Sequence, residues 1–345
     1  MLVVRSDAHR VHHGLELDGG RLVPSWESPD RADHVDRAID ATTQHRIARP
    51  APLPAGLLDE VHDPEYVSFL AHAWDRWAAA GRDTEAAMGF GWPARRSRAV
   101  RPEHLDGQFG YHSFAADCSI TAGTWDAVYD SAAIASTAAT AVADGEAVAF
   151  ARCRPPGHHA MRDQFGGYCF LNNAAIAAQT LRRAGHAHVA VLDVDYHHGN
   201  GTQDIFYERA DVAVCNIHAD PRHAFPFFLG HADEHGAGAG EQRNRNLPLP
   251  LGTDAPAWFD AFAQGADWLL DHAPTALVVS LGLDTFEDDP ISHFRLRTSD
   301  FGELGARLAA IGLPTVLVLE GGYATEALGD NVVAVLNGFA RTLDG

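Results

Sequence analysis

Short apolar segments that alternate with longer amphipathic ones constrain the fold of this chain more than any other feature of its sequence. Five segments rich in Val, Leu and Ala each have the length of a buried strand: 147–151, 188–194, 211–217, 275–281 and 314–320. Segments with helical periodicity lie between or after them, around 126–143, 172–184, 256–272, 299–311 and 324–342. This alternation predicts an α/β fold with a mostly parallel central sheet and helices on both faces.

Two long regions interrupt the alternation. Residues 82–114 mix Arg, Pro, Gly and aromatic residues without a sustained period, and residues 218–246 are rich in His, Gly and Pro. Loops of this length inside a compact domain are usually functional. No repeat, low-complexity tract or linker composition divides the chain, so we expect one domain over residues 1–345, with 82–114 as a long insertion loop.

The net charge of the chain indicates which kinds of molecule it can bind. The chain has 26 basic and 46 acidic side chains, a formal net charge of −20, which repels nucleic acid and suits a cationic small-molecule substrate. An acidic surface that serves only solubility explains the same charge. No run of eighteen apolar residues predicts a membrane span, and the N-terminus has too few apolar residues for a signal peptide. We therefore expect no membrane partner and a cytoplasmic location.

Polar residues follow two of the predicted strands, at the edge of the sheet where parallel α/β proteins bind ligands. Asp195 and His197 come after segment 188–194, and their spacing in an extended backbone directs both to one side. Asp284 follows 275–281. One imidazole and two carboxylates, with a fourth position left for water, are the ligands of a catalytic zinc site. Helix capping by the aspartates and core packing of His197 are the alternative.

Two further strand ends carry candidate catalytic residues. In RPPGHHA, 154–160, the rigid turn brings His158 and His159 to the same edge, where adjacent histidines can divide proton transfer between them. Asp193 is available to orient one of them. In EGGY, 320–323, the glycines permit close backbone approach, and the Tyr323 hydroxyl can donate to a developing oxyanion. An ordinary turn tyrosine is the alternative.

These motifs resemble those of the histone deacetylase superfamily, which shares its fold with arginase, and most closely those of its bacterial acetylpolyamine amidohydrolases. The segments RPPGHHA, GGYCFLNNAA, LDVDYHHGNGTQDIF, GLDTFEDDPIS and EGGY occur in this order over nearly the whole chain. The resemblance implies the arginase/deacetylase fold. It also implies a zinc-dependent amidohydrolase that removes acetyl groups from acetylated polyamines or related aminoalkyl amides.

The resemblance assigns roles to the residues at the strand ends. It implies one zinc ion per subunit, with the ligands Asp195, His197 and Asp284. By the same resemblance, His159 acts as general base and then general acid, His158 supports it electrostatically, and Tyr323 polarises the amide carbonyl.

Differences from related sequences at three positions refine what the resemblance implies. Arginase-like sites need further aspartates where this chain has Gly199 and Phe286, which argues against a two-manganese ureohydrolase. Many histone deacetylases carry aspartate where Asn200 stands, and this difference implies a less basic second histidine.

The resemblance also implies several binding features outside the catalytic set. A narrow substrate tunnel would be formed by Gly167, Tyr168 and Phe225. A structural potassium ion would be bound by Asp193, Asp195, His197, Asn216 and Ile217, and the family usually has serine at the position of Asn216. Acids at the entrance would be Glu16, Asp106 and Asp117. In related amidohydrolases the long loop packs across a twofold partner, so a homodimer is expected.

Two other functions are compatible with parts of this pattern. A protein-lysine deacetylase uses the same catalytic residues, and access to the site distinguishes it, because the 82–114 loop is expected to exclude bulky partners. A non-catalytic protein that binds acetylated amines would lack one or more of the catalytic residues. This sequence has all of the metal-binding and catalytic residues, which argues against that function.

Overall fold

An eight-stranded parallel sheet forms the centre of the computed structural model, which describes residues 1–42 and 44–343. The strands are β1 (Leu2–Val4), β2 (Leu15–Asp18), β3 (Arg21–Pro24), β4 (Arg46–Ala48), β5 (Val148–Ala151), β6 (Val189–Asp193), β7 (Val212–Ala219), β8 (Asn244–Leu249), β9 (Ala276–Leu281) and β10 (Thr315–Leu319). The order in the sheet is β4-β1-β5-β10-β9-β6-β7-β8, and β2 pairs with β3 in a separate antiparallel hairpin.

Helices cover both faces of this sheet. They are α1 (Pro29–Asp40), α2 (Pro64–Ala79), α3 (Leu105–Tyr111), α4 (Thr124–Ala143), α5 (Asn173–Arg183), α6 (Asn200–Phe206), α7 (Ala255–Leu270), α8 (Thr298–Ala310) and α9 (Thr325–Leu343). Successive side chains of a strand point to opposite faces, so β9 sends Val278 into the core beneath α2, α4 and α5. Its neighbour Val279 enters the core beneath α1, α7, α8 and α9.

The predicted fold class is confirmed, because the five predicted strands all lie in a parallel sheet with helices on both faces. The predicted strands 188–194 and 275–281 correspond to β6 (Val189–Asp193) and β9 (Ala276–Leu281). The predicted bounds differ by one residue at both ends of β6 and at the first residue of β9. Buried strands of this kind are recognisable because both of their faces require apolar side chains.

The prediction of an irregular loop over 82–114 was wrong in part, because α3 lies within it. The helix is short and contains two glycines, so its sequence has little helical propensity. Tertiary packing stabilises it instead: Phe109 is fully buried against Phe69 and Trp77, at ring-centroid distances of 5.2 and 5.0 Å. Among the residues described, no helix combines the length and apolarity that crossing a membrane requires.

Candidate active site

Four adjacent strands at the centre of the sheet bring their carboxyl ends to one edge. These strands are neighbours in the order β5, β10, β9 and β6. The segments that follow them carry, in the same order, His158 and His159, Tyr323, Asp284, and Asp195 with His197. All of the catalytic and metal-binding residues predicted from the sequence therefore lie along one edge, although they come from distant parts of the chain.

Three of these side chains form a compact group of potential metal ligands. One ligand atom from each of Asp195, His197 and Asp284 lies within 4.8 Å of the other two. The Nδ1 atom of His197 is 2.9 Å from Oδ2 of Asp284 and 3.4 Å from Oδ1 of Asp195. Backbone N–H groups fix the carboxylates, since Tyr196 donates to Oδ1 of Asp284 at 2.8 Å and Gly321 donates to Oδ2 of Asp195 at 2.9 Å.

The electrostatics of this group favour a bound cation. Burial, together with the charge of Asp195, raises the pKa of Asp284 to about 8. Burial also opposes the charge of Asp195, but the imidazoles of His158 and His197 outweigh it and lower the pKa of Asp195 far below its usual range. A divalent cation offsets two buried negative charges, and one imidazole with two carboxylates leaves zinc an open position. The residues present therefore fit a catalytic zinc ion.

The two histidines that follow β5 stand side by side but have different partners. The ring centroids of His158 and His159 are 4.0 Å apart. The Nδ1 atom of His158 is 3.1 Å from Oδ2 of Asp193, whereas Nδ1 of His159 is 2.6 Å from Oδ1 of Asn200. A carboxylate stabilises an imidazolium more than an amide oxygen does, so the two rings are set up for different protonation states.

The pKa values of the two histidines differ in the same direction. Burial opposes a charge on His158, but the carboxylates of Asp195 and Asp193 outweigh it and raise its pKa to about 10. Burial, with the positive charges of His158 and His197, lowers the pKa of His159 well below its usual value. At neutral pH a neutral His159, able to accept a proton, therefore lies beside a charged His158.

The turn that carries the histidines is held by a carboxylate that the sequence interpretation missed. Glu320 is fully buried, and its Oε2 atom accepts the N–H groups of Gly157 at 2.6 Å and of His158 at 3.1 Å. A Cβ atom at Gly157 would lie only 2.3 Å from the backbone nitrogen of Asn173, so this turn requires glycine. The same rule that identified Asp284, an acid directly after an apolar strand, applies to Glu320.

Tyr323 lies beyond the end of β10, with its ring at the cavity wall. Gly322, just before it, has a φ of +128°, which side-chain-bearing residues rarely adopt. The guanidinium of Arg31 lies 4.8 Å from the centroid of the Tyr323 ring, and its Nε donates to the carbonyl of Gly322 at 2.6 Å. The ring of Tyr168 packs against the tyrosine edge-on at 5.7 Å.

A cavity of about 500 Å³ connects this edge of the sheet with the surface. The residues predicted to form a tunnel all line it: Gly167, Tyr168 and Phe225. The ring of Phe225 is 5.0 Å from that of His159, which also lines the cavity. A Cβ atom at Gly167 would lie 2.2 Å from the His159 ring, so glycine permits this close approach. An aromatic passage of this kind accepts a methylene chain.

Two of the three predicted entrance acids line the same cavity. Oε2 of Glu16 accepts a hydrogen bond from the Tyr168 hydroxyl at 2.5 Å, and Oδ1 of Asp117 accepts the Gly167 N–H at 2.9 Å. Burial raises the pKa of Asp117 to about 6, and the charge of Glu16 contributes to the rise. Burial also raises the pKa of Glu16. Both acids lie on the wall that a cationic substrate would pass.

The third predicted entrance acid lies elsewhere. Asp106 is not among the residues that line the cavity, and its carboxylate forms an ion pair with Arg82. The physical reason is the helix α3, which turns Asp106 toward that guanidinium. Within this chain, Asp106 is therefore neutralised by a local partner rather than placed at the entrance.

The residues of the predicted potassium site come from the end of β6, from the segment that follows it, and from within the neighbouring strand β7. The pairing of β6 with β7 sets Asp193 opposite Asn216. Asn216 is fully buried, and its Oδ1 atom accepts the N–H of Gly199 at 3.1 Å. The asparagine thus presents an oxygen toward the segment that carries Asp195 and His197.

Sequence reasoning missed several other residues of the cavity wall. They are Asp18, Trp26, Tyr196, His223, Ala224, Phe227, Ile291 and His293. Most of them belong to loops without a periodic pattern, and the sequence offers no signal for those. Tyr196, Ile291 and His293 are different. Tyr196 lies between Asp195 and His197 in the LDVDYHHGNGTQDIF motif, Ile291 lies within GLDTFEDDPIS, and His293 follows that motif directly.

Comparisons with known proteins agree with this geometry. The histone deacetylase domain matches residues 25–339. Acetylpolyamine amidohydrolase 2 of Pseudomonas aeruginosa is 48% identical over 340 residues, covering 98% of each chain. Acetylpolyamine amidohydrolase of Mycoplana ramosa is 46% identical over 341 residues, covering 99% of this chain and all of that one. A crystal structure of acetylpolyamine aminohydrolase from Burkholderia pseudomallei superposes with a TM-score of 0.94, 41% identity and 99% coverage of both chains.

Proposed function

The chain belongs to the histone deacetylase family, and on that premise we propose that it hydrolyses the acetyl amide of acetylated polyamines or related aminoalkyl amides. The observation that carries the substrate class is similarity to acetylpolyamine amidohydrolases along practically the entire chain, at 46–49% identity to three of them. The aromatic cavity with Glu16 and Asp117 on its wall supports this substrate, because a methylene chain with a distal ammonium group matches both features.

The proposed mechanism uses a zinc ion, a neutral histidine, a charged histidine and a tyrosine. A zinc ion held by Asp195, His197 and Asp284 would act as a Lewis acid that polarises the acetyl carbonyl and makes a water molecule more acidic. His159 takes the proton of the attacking water and then returns it to the amine nitrogen as the C–N bond breaks. The products are acetate and the free amine. His158, charged because the carboxylates of Asp195 and Asp193 raise its pKa, stabilises negative charge that develops during the attack.

Tyr323 completes the proposed set. Its ring lines the cavity, and within the described residues its hydroxyl makes no hydrogen bond to protein. The hydroxyl is therefore free to donate to the oxyanion that forms from the carbonyl oxygen. His159 donates through Nδ1 to the amide oxygen of Asn200 rather than to a carboxylate. Burial, with the positive charges of His158 and His197, lowers the pKa of His159 and keeps this general base neutral at neutral pH.

Several finer features remain part of the proposal. We expect one zinc ion per subunit, a potassium ion bound by Asp193, Asp195, His197, Asn216 and Ile217, one deacetylase domain, and a cytoplasmic location. A homodimer formed through the 82–114 loop is also proposed. Exposed aromatic side chains on that loop support it, since Phe90 is 77% exposed and Trp92 is 38% exposed.

Steady-state kinetics on one panel of substrates tests the proposal. We expect acetylputrescine, acetylcadaverine or acetylspermidine to be hydrolysed with at least about tenfold higher kcat/KM than acetyl-lysine peptides, because the 82–114 loop is expected to exclude bulky partners from the entrance. A His159→Ala variant purified in parallel controls for contaminating deacetylases. Faster turnover of lysine peptides would instead support a protein-lysine deacetylase. Binding without release of acetate would support a non-catalytic protein.

A further inference from the structure

A second buried carboxylate beside the cavity, that of Asp289, contacts the backbone that carries Tyr323. Its Oδ2 atom accepts the N–H of Tyr323 at 2.7 Å and the N–H of Ala324 at 3.2 Å. Its Oδ1 atom accepts the N–H of Ile291, a residue of the cavity wall, at 3.1 Å. Asp289 itself is only 6% exposed. One side chain therefore joins the segment after β9 to the segment after β10.

The segment after β10 needs such a connection because its own sequence makes it pliable. Gly321 and Gly322 precede Tyr323, and glycine restricts the backbone less than any other residue. A Cβ atom at Gly321 would lie 2.6 Å from Oδ2 of Asp195, and Gly322 has a φ of +128°. Both positions thus require glycine, so a stiffer residue cannot fix the tyrosine. Rigidity has to come from outside the segment.

Asp289 is suited to supply that rigidity. Its two hydrogen bonds act on the backbone of Tyr323 and its neighbour, close to the Cα atom from which the ring projects. Hydrogen bonds to an ionised acceptor are stronger than those between neutral groups, and burial shields this contact from competition by water. Arg31 donates to the Gly322 carbonyl, so both the C=O and the N–H of the peptide group between Gly322 and Tyr323 are held by buried side chains.

We propose that Asp289 is a positioning residue for the hydrolytic reaction: by accepting the N–H groups of Tyr323 and Ala324, it fixes where the Tyr323 hydroxyl stands in the cavity. The inference rests on the proposed function, because it assigns Asp289 a role only through the hydroxyl of Tyr323. Asp289 contacts neither the substrate nor the proposed metal ligands in this role. Its effect on the reaction should therefore disappear when that hydroxyl is removed.

The test is a double-mutant cycle between Asp289 and Tyr323. Asp289→Asn keeps the size of the side chain, but its amide NH₂ group cannot accept a hydrogen bond. The backbone N–H groups that face this NH₂ group therefore lose their acceptor. Asp289→Ala removes all of them and serves as the second variant. Asp288→Asn is the matched control, since it makes the same charge change at the exposed neighbouring position. Each substitution is made in the parent and in Tyr323→Phe, and kcat and KM are measured with acetylputrescine.

We expect Asp289→Asn to lower kcat about tenfold in the parent, since a misplacement of about 1 Å can cost up to a hundredfold, while KM changes less than about threefold. In Tyr323→Phe the same substitution should change kcat less than about twofold. Zinc content should equal that of the parent, and Asp288→Asn should behave as the parent in both backgrounds.

Each other outcome overturns the inference. An equal loss in both backgrounds would mean that Asp289 acts independently of the tyrosine, and unchanged kcat in the folded variants would mean that it has no role. Failure of both variants to fold would make Asp289 a determinant of stability alone. If Tyr323→Phe is itself fully active, there is no hydroxyl to position. Failure of the proposed function is a separate result, because then the parent does not hydrolyse acetylputrescine.

Discussion

Replacing Gly321 by alanine tests how closely the segment after β10 approaches the proposed metal ligands. The new Cβ atom would lie 2.6 Å from Oδ2 of Asp195 and 2.8 Å from Oδ2 of Asp284. Ordinary contact begins at 3.4 Å, so relief requires shifts of 3.4 − 2.6 = 0.8 Å and 3.4 − 2.8 = 0.6 Å. Gly321 has no positive φ, so the backbone accepts alanine and the clash is the main effect.

The carboxylates have little freedom to move away. Asp284 is fully buried and its other oxygen accepts the N–H of Tyr196 at 2.8 Å. Zinc–ligand distances tolerate only about 0.2 Å, so the required shifts exceed the tolerance three- to fourfold. Disturbing groups that orient metal ligands typically lowers metal affinity about 10- to 100-fold. We expect Gly321→Ala to lower the zinc affinity by about 100-fold or more. Turnover should fall with zinc content.

Chelator-competition titration measures the zinc affinity, and metal analysis after gel filtration measures the content. The matched control is Gly302→Ala in α8, where the nearest atoms to a new Cβ lie at 3.8 and 4.0 Å. Alanine is favoured over glycine inside a helix by about 1 kcal/mol, so the control should be slightly more stable and fully loaded. A folded Gly321→Ala protein with the zinc affinity and kcat of the parent would refute the reasoning.

Four further predictions concern the reaction and its substrate. Tyr323→Phe should lower kcat about 10²- to 10³-fold at unchanged zinc content, and turnover within about threefold of the parent would remove it from the catalytic set. Asp284→Ala should lose zinc and activity together, which metal analysis checks; a folded variant with full zinc would contradict its role as ligand. Burial raises the pKa of Asp117 to about 6, so this acid is neutral below that pH and charged above it. The kcat/KM ratio of acetylputrescine to a neutral acetanilide should therefore rise through pH 6, and Asp117→Asn should flatten the rise. The same ratio should fall with added salt, because the Debye length is about 10 Å at 0.1 M; equal salt sensitivity of both substrates would exclude charge steering by Glu16 and Asp117.

The sequence predicted the centre of the sheet better than its margins. The central strands β5, β6, β9 and β10 are apolar on both faces and were recognised. The edge strand β8 reads NRNLPL, and the edge strand β4 is a three-residue RIA segment that is mostly exposed. Such strands are defined by pairing with a distant neighbour, β8 with β7 and β4 with β1, rather than by their own composition. The residues of such a strand do not by themselves indicate which strand it pairs with.

Some residues of the candidate site could be predicted from the sequence and others could not. Side chains at the ends of recognised strands, such as Asp195 and Asp284, could be identified because charge after a buried strand needs a partner. The carboxylates that hold the backbone, Glu320 and Asp289, were missed although they lie within the quoted motifs. Their partners are backbone N–H groups, which every residue except proline has, so no particular residue type in the sequence marks the donor side of the contact.

Those carboxylates explain how loops with so many glycines form a defined site. Glu320 joins the end of β10 to the histidine turn after β5, and Asp289 joins the segment after β9 to Tyr323 after β10. Asp195 and Asp284 form similar contacts with Gly321 and with the segment after β6. Three of these contacts join segments after neighbouring strands, and the contact between Asp195 and Gly321 joins the segments after β6 and β10, on either side of β9. The register of the sheet therefore sets the relative positions of these loops. The glycines permit close approach, and the buried carboxylates remove the freedom that the glycines introduce. The same carboxylates gather acidic groups at this edge, where a charged His158 and the proposed zinc ion would offset them.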